Sequence, residues 1–401
     1  MEKVGNKMEH KLDKQITKSF LQSLHDISFK AILWDGEELI IGEGKPEFEV
    51  ILKEPLSKSH LLRSTTLELG EAYMNKTIEV NGELYVALDR ILSQMEKFST
   101  HYKAFPKLYQ KSNTMSHNRE NIAYHYDLGN EFYSLWLDDT MSYSCAYFES
   151  EEDTLNQAQC NKINYILKKL HLQKGQKLLD IGCGWGDLLI QAAKQYGVSG
   201  YGITLSEEQR RKCQEKIKAE GLEKLVQVKI MDYQELQRSN MKFQRIVSVG
   251  MIEHVGRDHY ASFFENVDHV LDENGIMLLH FINGMKESKG DAWIKKYIFP
   301  GGVIPSLREI VNLISDKRYH ILDIESLRPH YVRTLLCWYN NFNDNLHEVA
   351  QMFDETFIRM WRLYLASCAA GFHNGIVDLH QIVFTKGVLN DLPLTRDDLY
   401  G

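Results

Sequence analysis

The stretch LLDIGCGWGD, residues 178–187, decides the fold of the longer part of the chain. An apolar run ends at glycines spaced GxGxG, and the amphipathic segment DLLIQAAKQY follows. Because glycine allows sharp turns and close backbone approach, the pattern predicts a buried strand, a turn and a helix. A dinucleotide site would read GxGxxG. Here Asp187 replaces the last glycine and would repel a pyrophosphate. The alternative is a strand–helix turn whose glycines serve packing alone.

The segments that follow repeat the alternation of strand and helix. Apolar runs typical of buried strands occur at SGYGITL, VQVKIMD, RIVSVGMI and GIMLLHFI. SEEQRRKCQEKIKAEG predicts a helix capped by Ser206 and stopped by Gly221, and YASFFENVDHVL predicts another before the last strand. Repeated strand–helix units predict a parallel sheet covered on both faces, with ligands at the carboxyl ends of its strands.

The glycine loop resembles the first motif of S-adenosylmethionine-dependent methyltransferases, with Asp180 suited to a cationic amino-acid ligand. Many such enzymes place an acid on the ribose after the second strand, but GITLSEEQ offers Thr204 there and no acid until Glu207. Tyr233 follows the third strand and could pack on adenine, although an ordinary strand-end aromatic is the alternative. The predicted cofactor-binding residues are Tyr143, Ser144, Asp180, Gly182, Cys183, Gly184, Thr204, Leu205, Gln209, Tyr233 and Gln234.

Composition limits the function classes. The chain has 401 residues, enough for two domains, and its net charge of −8 argues against bulk attraction to nucleic acid. Six scattered cysteines form no CxxC pair or zinc spacing, so we expect reduced thiols in a cytoplasmic protein without a metal. The first residues lack a signal-peptide pattern, and no apolar run reaches the ~20 residues of a membrane helix.

The chain divides into three predicted parts. Residues 1–100 predict a small α+β domain, in which the mixed helix LDKQITKSFLQSLHDI precedes the strand-like runs FKAILW and FEVILK, with DG and NG turn signals between strands. Residues 101–125 are polar, basic and aromatic, and predict a linker that becomes a helix. Residues 126–401 predict the α/β catalytic domain.

Further motifs carry a specific resemblance. They are HYDLGNEFYSLWLDDTMSYSCAYF (125–148), SVGMIEHVG (248–256), IFPGGVIPS (298–306) and YVRTLLCWYNNF (331–342). With the glycine loop and GITLSEEQ, they make the sequence similar to the cyclopropane-fatty-acyl-phospholipid synthases of the cyclopropane and mycolic acid synthase family. The resemblance implies a Rossmann-like class I methyltransferase with a mostly parallel seven-stranded sheet. Residues 1–100 resemble the lipid-binding extension of the bacterial phospholipid enzymes, which favours a phospholipid substrate.

The resemblance also implies the chemistry. A methylene group from S-adenosylmethionine is added across a cis double bond of a phospholipid acyl chain, through a carbocation that bound bicarbonate deprotonates. The pocket must be dry because water would trap the carbocation, whereas aromatic faces can stabilise it without attack. Taken alone, Glu253 could be a solvated acid and His280 a satisfied core histidine. The implied bicarbonate ligands are Cys145, Glu253, His280, Ile282 through its backbone, and Tyr331.

Cys145 is expected to line the site and not to act as a nucleophile, because its neighbours in MSYSCAYF supply neither a base nor positive charge. Two other functions stay open. One is a different methyl transfer, for instance to nitrogen or to form a methyl branch, and the other is a lipid carrier that kept the cofactor fold. The intact set of Cys145, Glu253, His280 and Tyr331 favours ring formation, since simple methylation need not assemble a bicarbonate site.

We expect the protein to contact lipid through its surface, and the segment 283–306 is the candidate for this contact. The alternative role for this segment is a solvated lid. The segment combines lysines with aromatic residues, which is typical of interfacial segments. We therefore expect a cytoplasmic enzyme in peripheral contact with the inner face of the membrane, with no nucleic-acid partner. The resemblance suggests a homodimer. The residues that suggest membrane contact are Lys286, Lys289, Lys295, Lys296, Trp293, Tyr297 and Phe299.

Overall fold

A computed structural model describes residues 13–55, 64–95 and 128–400 of the chain. Two compact units are present, each drawn from several stretches. Unit 1 comprises Met1–Gln110, Asp291–Ile298 and Phe342–Gly375, and unit 2 comprises Lys111–Gly290, Phe299–Asn341 and Ile376–Gly401. The predicted domains 1–100 and 126–401 are continuous stretches and so differ from these units. The linker predicted over 101–125 lies outside the described residues.

Unit 1 contains a four-stranded sheet. Its strands are β1 (Phe29–Ile32), β2 (Glu38–Ile41), β3 (Glu49–Leu52) and β4 (Ile78–Asn81), in the order β2-β1-β3-β4. The predicted strands FKAILW and FEVILK contain β1 and β3, and residues 13–22 are helical as predicted. The Asp35-Gly36 pair lies in the turn between β1 and β2. The second turn signal, Asn81-Gly82, joins β4 to a helix and not to a strand.

Later parts of the chain complete unit 1, which explains its difference from the predicted domain. Helix Glu355–His373 packs against the helices Thr65–Met74 and Leu84–Leu92. Buried Arg359 holds it there, because its guanidinium donates to the carbonyls of Tyr73 (2.6 Å) and Ile78 (3.1 Å). In its described residues, this unit also contains the helices Ala292–Tyr297 and Leu346–Met352.

Unit 2 is built on a seven-stranded sheet, as the resemblance implied. The order is β10-β11-β9-β8-β5-β6-β7. The neighbours from β9 to β7 pair in parallel, whereas β11 pairs antiparallel with both β9 and β10. The strands are β5 (Lys177–Ile181), β6 (Ser199–Thr204), β7 (Val226–Ile230), β8 (Phe243–Val249), β9 (Leu271–Gly284), β10 (Tyr319–Ser326) and β11 (Val377–Lys386).

Helices cover both faces of this sheet, which confirms the predicted α/β architecture. Neighbouring residues of β5 show this, because Leu178 packs in one buried apolar cluster and Leu179 in another. Ser206 caps its helix as predicted, since its hydroxyl accepts from the backbone N–H of Gln209 (3.3 Å). The described helices of unit 2 are Asn130–Ser134, Leu155–Lys169, Asp187–Tyr196, Glu207–Ala219, Tyr260–Val270, Leu307–Ser315, Arg328–Asp344, whose last residues belong to unit 1, and Asp397–Tyr400.

The strand order places the ligand site. The chain passes from β5 to β6 on one side, and β8 lies on the other side of β5. Such a reversal of direction leaves a crevice at the carboxyl ends of the central strands. The glycine loop follows β5 at this crevice, as the sequence predicts. Within the described residues, no helix combines the length and apolar character needed to cross a membrane.

Candidate active site

The glycine loop presents an open backbone surface. Gly182, Gly184 and Gly186 all have positive φ, of +85°, +53° and +85°, which glycine adopts at little cost. A Cβ added at Gly184 would meet no heavy atom of the residues that the structure describes within 4 Å. The structure therefore leaves room for a ligand directly against this residue. Asp187, the first residue of the following helix, forms an ion pair with Lys216.

One pocket brings the predicted cofactor-binding residues together. Thr204 and Gln209 are buried, and the Thr204 hydroxyl donates to Oε1 of Gln209 over 2.7 Å. Tyr233 packs edge-on against Phe263, with ring centroids 5.5 Å apart. The predicted residues that line this pocket are Tyr143, Ser144, Asp180, Gly182, Cys183, Gly184, Thr204, Leu205, Gln209, Tyr233 and Gln234.

Lys162 also lines the pocket, and the sequence analysis missed it. Its side chain is buried, and its ammonium donates to the hydroxyl of Ser144 over 3.0 Å. Burial lowers the pKa of Lys162 to about 8 and raises the pKa of buried Asp180 to about 7. One cationic and one acidic group therefore face the same pocket. No motif marks Lys162, which lies on the otherwise mostly apolar buried side of helix Leu155–Lys169.

A second missed residue shapes the wall beside Ser144. The buried carboxylate of Asp138 accepts from the backbone N–H groups of Thr140 (3.0 Å) and Ser142 (3.1 Å). Met141 between them adopts a φ of +61°. Carboxylates often stabilise such turns by accepting from backbone two residues on. Asp138 therefore fixes the course of the chain that carries Tyr143 and Ser144 into the pocket.

Glu253 and Ile282 are in direct contact. Oε1 of Glu253 accepts from the backbone N–H of Ile282 over 2.7 Å. Oε2 is buried and has no hydrogen-bond partner among the residues that the structure describes. Burial raises the pKa of Glu253 to about 7, with the Ile282 hydrogen bond acting in the opposite direction. A buried acceptor without a partner requires an explanation, and a bound polar group would supply one.

His280 lies two residues before Ile282 on β9 and is 1% exposed. Its Nδ1 is hydrogen-bonded to Nε2 of Gln381 over 3.1 Å. Its own Nε2 is buried without a partner in the described part of the chain. Burial lowers the pKa of His280 to about 3, so the ring is neutral at physiological pH. Among the described residues, His280 and Glu253 thus each have one buried polar atom without a partner, and Glu253 bonds to Ile282, two residues after His280 on β9.

Cys145 and Tyr331 meet at the start of helix Arg328–Asp344. The Cys145 thiol contacts the carbonyl of Leu327 (3.8 Å), which also accepts from the backbone N–H of Tyr331 (3.2 Å). Leu327 in turn donates to Leu379, the residue paired with Ile282 across β11 and β9. Leu327 and Leu379 therefore link the backbone near Cys145 and Tyr331 to Ile282 on β9. The five predicted bicarbonate ligands are not among the residues that line the pocket of the predicted cofactor-binding residues, although Cys145 directly follows Ser144.

An aromatic cluster joins these two regions. The ring of Tyr143, which lines the cofactor pocket, lies 5.3 Å from the ring of Trp338 between centroids. Trp338 lies 6.0 Å from the ring of Tyr331. Trp136 and Tyr133 pack against the same Tyr143 ring at 5.3 and 5.6 Å. The cluster connects the predicted cofactor side of the site with the predicted base side.

The predicted interfacial segment is only partly exposed. Trp293 is 3% exposed, and its indole N–H donates to the sulfur of Met74 over 3.3 Å. Lys296 forms an ion pair with Glu71. The prediction of a membrane contact is therefore wrong for the Trp293 side chain, which packs inside unit 1. Met285, by contrast, is 71% exposed.

The chain is similar to known protein families over most of its length. The sequence model of the family described as "Mycolic acid cyclopropane synthetase" matches residues 113–382. A second model, described as a domain of unknown function, matches residues 16–103.

Individual relatives cover most of the chain. A "Probable fatty acid methyltransferase" of Pseudomonas putida is 38% identical over 95% of this chain and 98% of its own length. The "Cyclopropane-fatty-acyl-phospholipid synthase" of Escherichia coli K12 is 38% identical over 88% of this chain and 92% of its own. The solved structure of the cyclopropane synthase MmaA2 from Mycobacterium tuberculosis has a TM-score of 0.63 and 34% identity, covering 67% of this chain and 98% of that one. The chain therefore belongs to the mycolic acid cyclopropane synthetase family and is an S-adenosylmethionine-dependent methyltransferase with the class I fold.

Proposed function

We propose that the protein adds a methylene group from S-adenosylmethionine to a cis double bond of an unsaturated phospholipid acyl chain. The products would be a cyclopropane ring on the chain and S-adenosylhomocysteine. The observation that carries the proposal is the aromatic cluster in which Trp338 contacts both Tyr143 and Tyr331. It provides a dry, electron-rich wall between a cofactor pocket and a buried acid–histidine site, as a carbocation reaction requires.

The cofactor pocket suits a ligand that carries positive groups and a carboxylate. S-adenosylmethionine supplies an electrophilic methyl group when bound. The carboxylate of Asp180 would hold a positive group of the methionine part, and the ammonium of Lys162 would hold its carboxylate. The open side of Gly184 would accept the nucleoside close to the backbone. Thr204, Gln209, Tyr233 and Gln234 would hold the ribose and adenine.

The acid–histidine site suits bicarbonate, which would supply the base. Oε2 of Glu253 would accept from a hydroxyl of the anion, and Nε2 of His280 is suited to contact its oxygen, since neither atom has a partner in the described ranges of the chain. Ile282 would act mainly by fixing the Glu253 carboxylate through its N–H. Cys145 and Tyr331 would close the site on the side of the helix that begins at Arg328.

A phospholipid substrate is favoured by the N-terminal part of the chain. The Escherichia coli relative, whose name specifies a phospholipid, matches 88% of the chain, whereas the mycobacterial MmaA2 structure matches 67%. We therefore propose a cytoplasmic enzyme in peripheral contact with the inner face of the membrane. Exposed Met285 and Lys286 are candidates for that contact, because apolar and lysine side chains together favour anionic surfaces. A homodimer stays a prediction.

The test is a reconstituted reaction. Purified protein is mixed with S-adenosylmethionine and vesicles of phospholipids with cis-monounsaturated chains, with and without bicarbonate. We expect product chains that gain one CH₂ group, lose their alkene and resist bromine addition. Products that gain the group but keep an alkene, or no lipid product at all, would contradict the proposal.

Methyl transfer without ring closure is the second candidate. The nearly full-length match to a protein named as a probable fatty acid methyltransferase favours it. Both candidates use the same cofactor pocket and differ in the final proton transfer. Retention of an alkene in the product would therefore select this second candidate.

A further inference from the structure

We propose that Gln381 is a positioning residue that fixes His280 as the tautomer with its proton on Nε2, and that Lys169 fixes the orientation of Gln381. The inferred role of that proton in the reaction rests on the proposed function. The three side chains are each at most 2% exposed, so water does not compete for these hydrogen bonds.

The argument begins at Lys169. Its ammonium donates to Oε1 of Gln381 over 2.9 Å. It also contacts the carboxylates of Asp323 (3.2 Å) and Glu325, and it lies 4.4 Å from the ring centre of Tyr165. A lysine ammonium has three donors and no acceptor, so only the oxygen of the Gln381 amide can face it. The amide orientation therefore follows from the network and is not arbitrary.

The orientation of Gln381 then determines the tautomer. Gln381 lies directly opposite His280 in the β11–β9 pair, and its Nε2 is 3.1 Å from Nδ1 of His280. An amide nitrogen only donates, so Nδ1 must be the acceptor and carries no proton. In a neutral ring the proton is then on Nε2. This is the nitrogen that is buried without a partner in the described residues.

The consequence concerns the predicted base site. With its proton on Nε2, His280 presents a donor to an anion held beside Glu253. The other tautomer would present a lone pair to the same anion and would repel it. Removal of the outer hydrogen bond of a metal-bound histidine typically changes activity by about 10- to 100-fold, and we expect a comparable effect for an anion-binding histidine. Gln381 would thus act through His280 without touching substrate or cofactor.

The first test is nitrogen NMR of the full-length protein with ¹⁵N-labelled histidine and no substrate. His280→Asn identifies the His280 signals. We expect wild-type Nδ1 to be unprotonated and Nε2 protonated, and Gln381→Glu to place a proton on Nδ1, because a carboxylate can only accept. His380, which bonds Asn283 on the same pair of strands, should keep its own tautomer. A proton on Nδ1 of wild-type His280 would overturn the proposal, whatever the variants do.

The second test compares two glutamines of the same sheet. Gln381→Leu should lower kcat by about 10- to 100-fold and leave the cofactor Kd and the vesicle KM unchanged. Gln244→Leu is the matched control, because Gln244 on β8 also bonds at both ends, to the Lys177 N–H (2.9 Å) and to Asp272. It should lose similar thermal stability but no kcat. Equal losses of kcat in both variants, or none in Gln381→Leu, would reject the positioning role.

The two tests separate this inference from the proposed function. The NMR measurement needs no turnover. Suppose that the protein forms no cyclopropane, but that His280 carries its proton on Nε2 in the wild type and gains a proton on Nδ1 in Gln381→Glu. This result would refute the proposed function and support the tautomer assignment. If the wild-type protein forms the cyclopropane ring but its His280 carries the proton on Nδ1, the proposed function is supported and the tautomer assignment is refuted.

Discussion

The backbone N–H of Ile282 donates a 2.7 Å hydrogen bond to Oε1 of Glu253. Two of the predicted bicarbonate ligands are therefore bonded directly to each other. The contact leaves the second carboxylate oxygen buried and without a partner among the described residues. A carboxylate oxygen in this setting costs free energy unless something binds it. The arrangement is therefore better suited to holding a small polar group than to stabilising the fold.

Replacing Glu253 by Gln tests that role. Glutamine keeps an oxygen for the Ile282 N–H and changes the second oxygen into a donor, so the shape of the site is conserved. A buried anion that loses one partner is destabilised by roughly 2–4 kcal/mol, which lowers the rate by about 30- to 1000-fold if felt only in the transition state. We expect that loss in kcat on vesicles, with an unchanged cofactor Kd by calorimetry.

The control for this variant is Glu309→Gln. Glu309 also accepts from a backbone N–H, that of Ser306 (2.8 Å), and pairs with Arg257. This variant should lose stability but keep turnover. Near-normal activity of Glu253→Gln would show that the Glu253 carboxyl takes no part in the reaction.

The same carboxyl should make stability depend on pH. Burial raises the pKa of Glu253 from its ordinary 4.5 to about 7. A carboxyl with a raised folded pKa contributes stability that is complete below about pH 4.5 and is lost as pH rises through about 7. At 1.4 kcal/mol per pH unit the contribution is on the order of 3 kcal/mol. Urea unfolding at several pH values should show wild type losing that much relative to Glu253→Gln between pH 4.5 and 8. Parallel curves for the two proteins would show that Glu253 does not titrate in this range.

Local patterns predicted a set of residues that share one pocket, and its role in cofactor binding stays a prediction. The strand KLLDI, the three glycines and GITLSEEQ each combine a structural signal with a position at the end of a strand. The residues predicted from them line one pocket in the structure. Such residues can be predicted because backbone conformation and ligand contact are set by the same few neighbours in sequence.

Other features depend on contacts that are distant in sequence. Trp293 looked interfacial, yet it is buried because Gly70 leaves space for it: a Cβ on Gly70 would lie 2.3 Å from the indole. Helix Glu355–His373 joins unit 1 through Arg359, which no local pattern indicates. The orientation of Gln381 likewise depends on Lys169, more than two hundred residues earlier. Sequence periodicity carries no information about which distant partner a buried side chain meets.

The open space at Gly184 gives a prediction for cofactor binding. Gly184→Val would place a branched side chain where the ligand is expected and where no atom of the described chain lies within 4 Å of an added Cβ. Gly221→Val is its matched control, because Gly221 has a similar φ of +66°, also faces open space, and lies outside the pocket. The positive φ costs roughly 1–2 kcal/mol in either variant. Calorimetry should show that cofactor binding is abolished only in Gly184→Val. An unchanged cofactor affinity of this variant would show that the cofactor does not bind against Gly184.

Cys145 should tolerate substitution by serine. Complete burial raises the pKa of its thiol far above the ordinary value, so the thiolate needed by a nucleophile is disfavoured. Cys145→Ser keeps a donor for the Leu327 carbonyl and should retain at least a tenth of the wild-type kcat, roughly the loss of one neutral hydrogen bond. Intact-protein mass spectrometry of the wild type during turnover should show no covalent adduct. An adduct on the peptide that contains Cys145 would overturn its assignment as a lining residue.

Lys162 provides the last prediction. It is the buried cation that faces the pocket beside Ser144, and burial lowers its pKa to about 8. If it holds the cofactor carboxylate, Lys162→Met removes a charge-assisted hydrogen bond worth roughly 1.5–3 kcal/mol, which weakens binding by about 10- to 150-fold. Wild-type affinity should also fall as pH rises through about 8, because the lysine then loses its proton, whereas Lys162→Met should not show this step. Lys386→Met removes an ammonium that is bound to the Asp268 carbonyl at the end of β11, outside the pocket, and this variant should bind the cofactor normally at every pH. Equal affinities of Lys162→Met and wild type at pH 7 would show that the carboxylate lies elsewhere, and that the buried ammonium serves only to anchor Ser144.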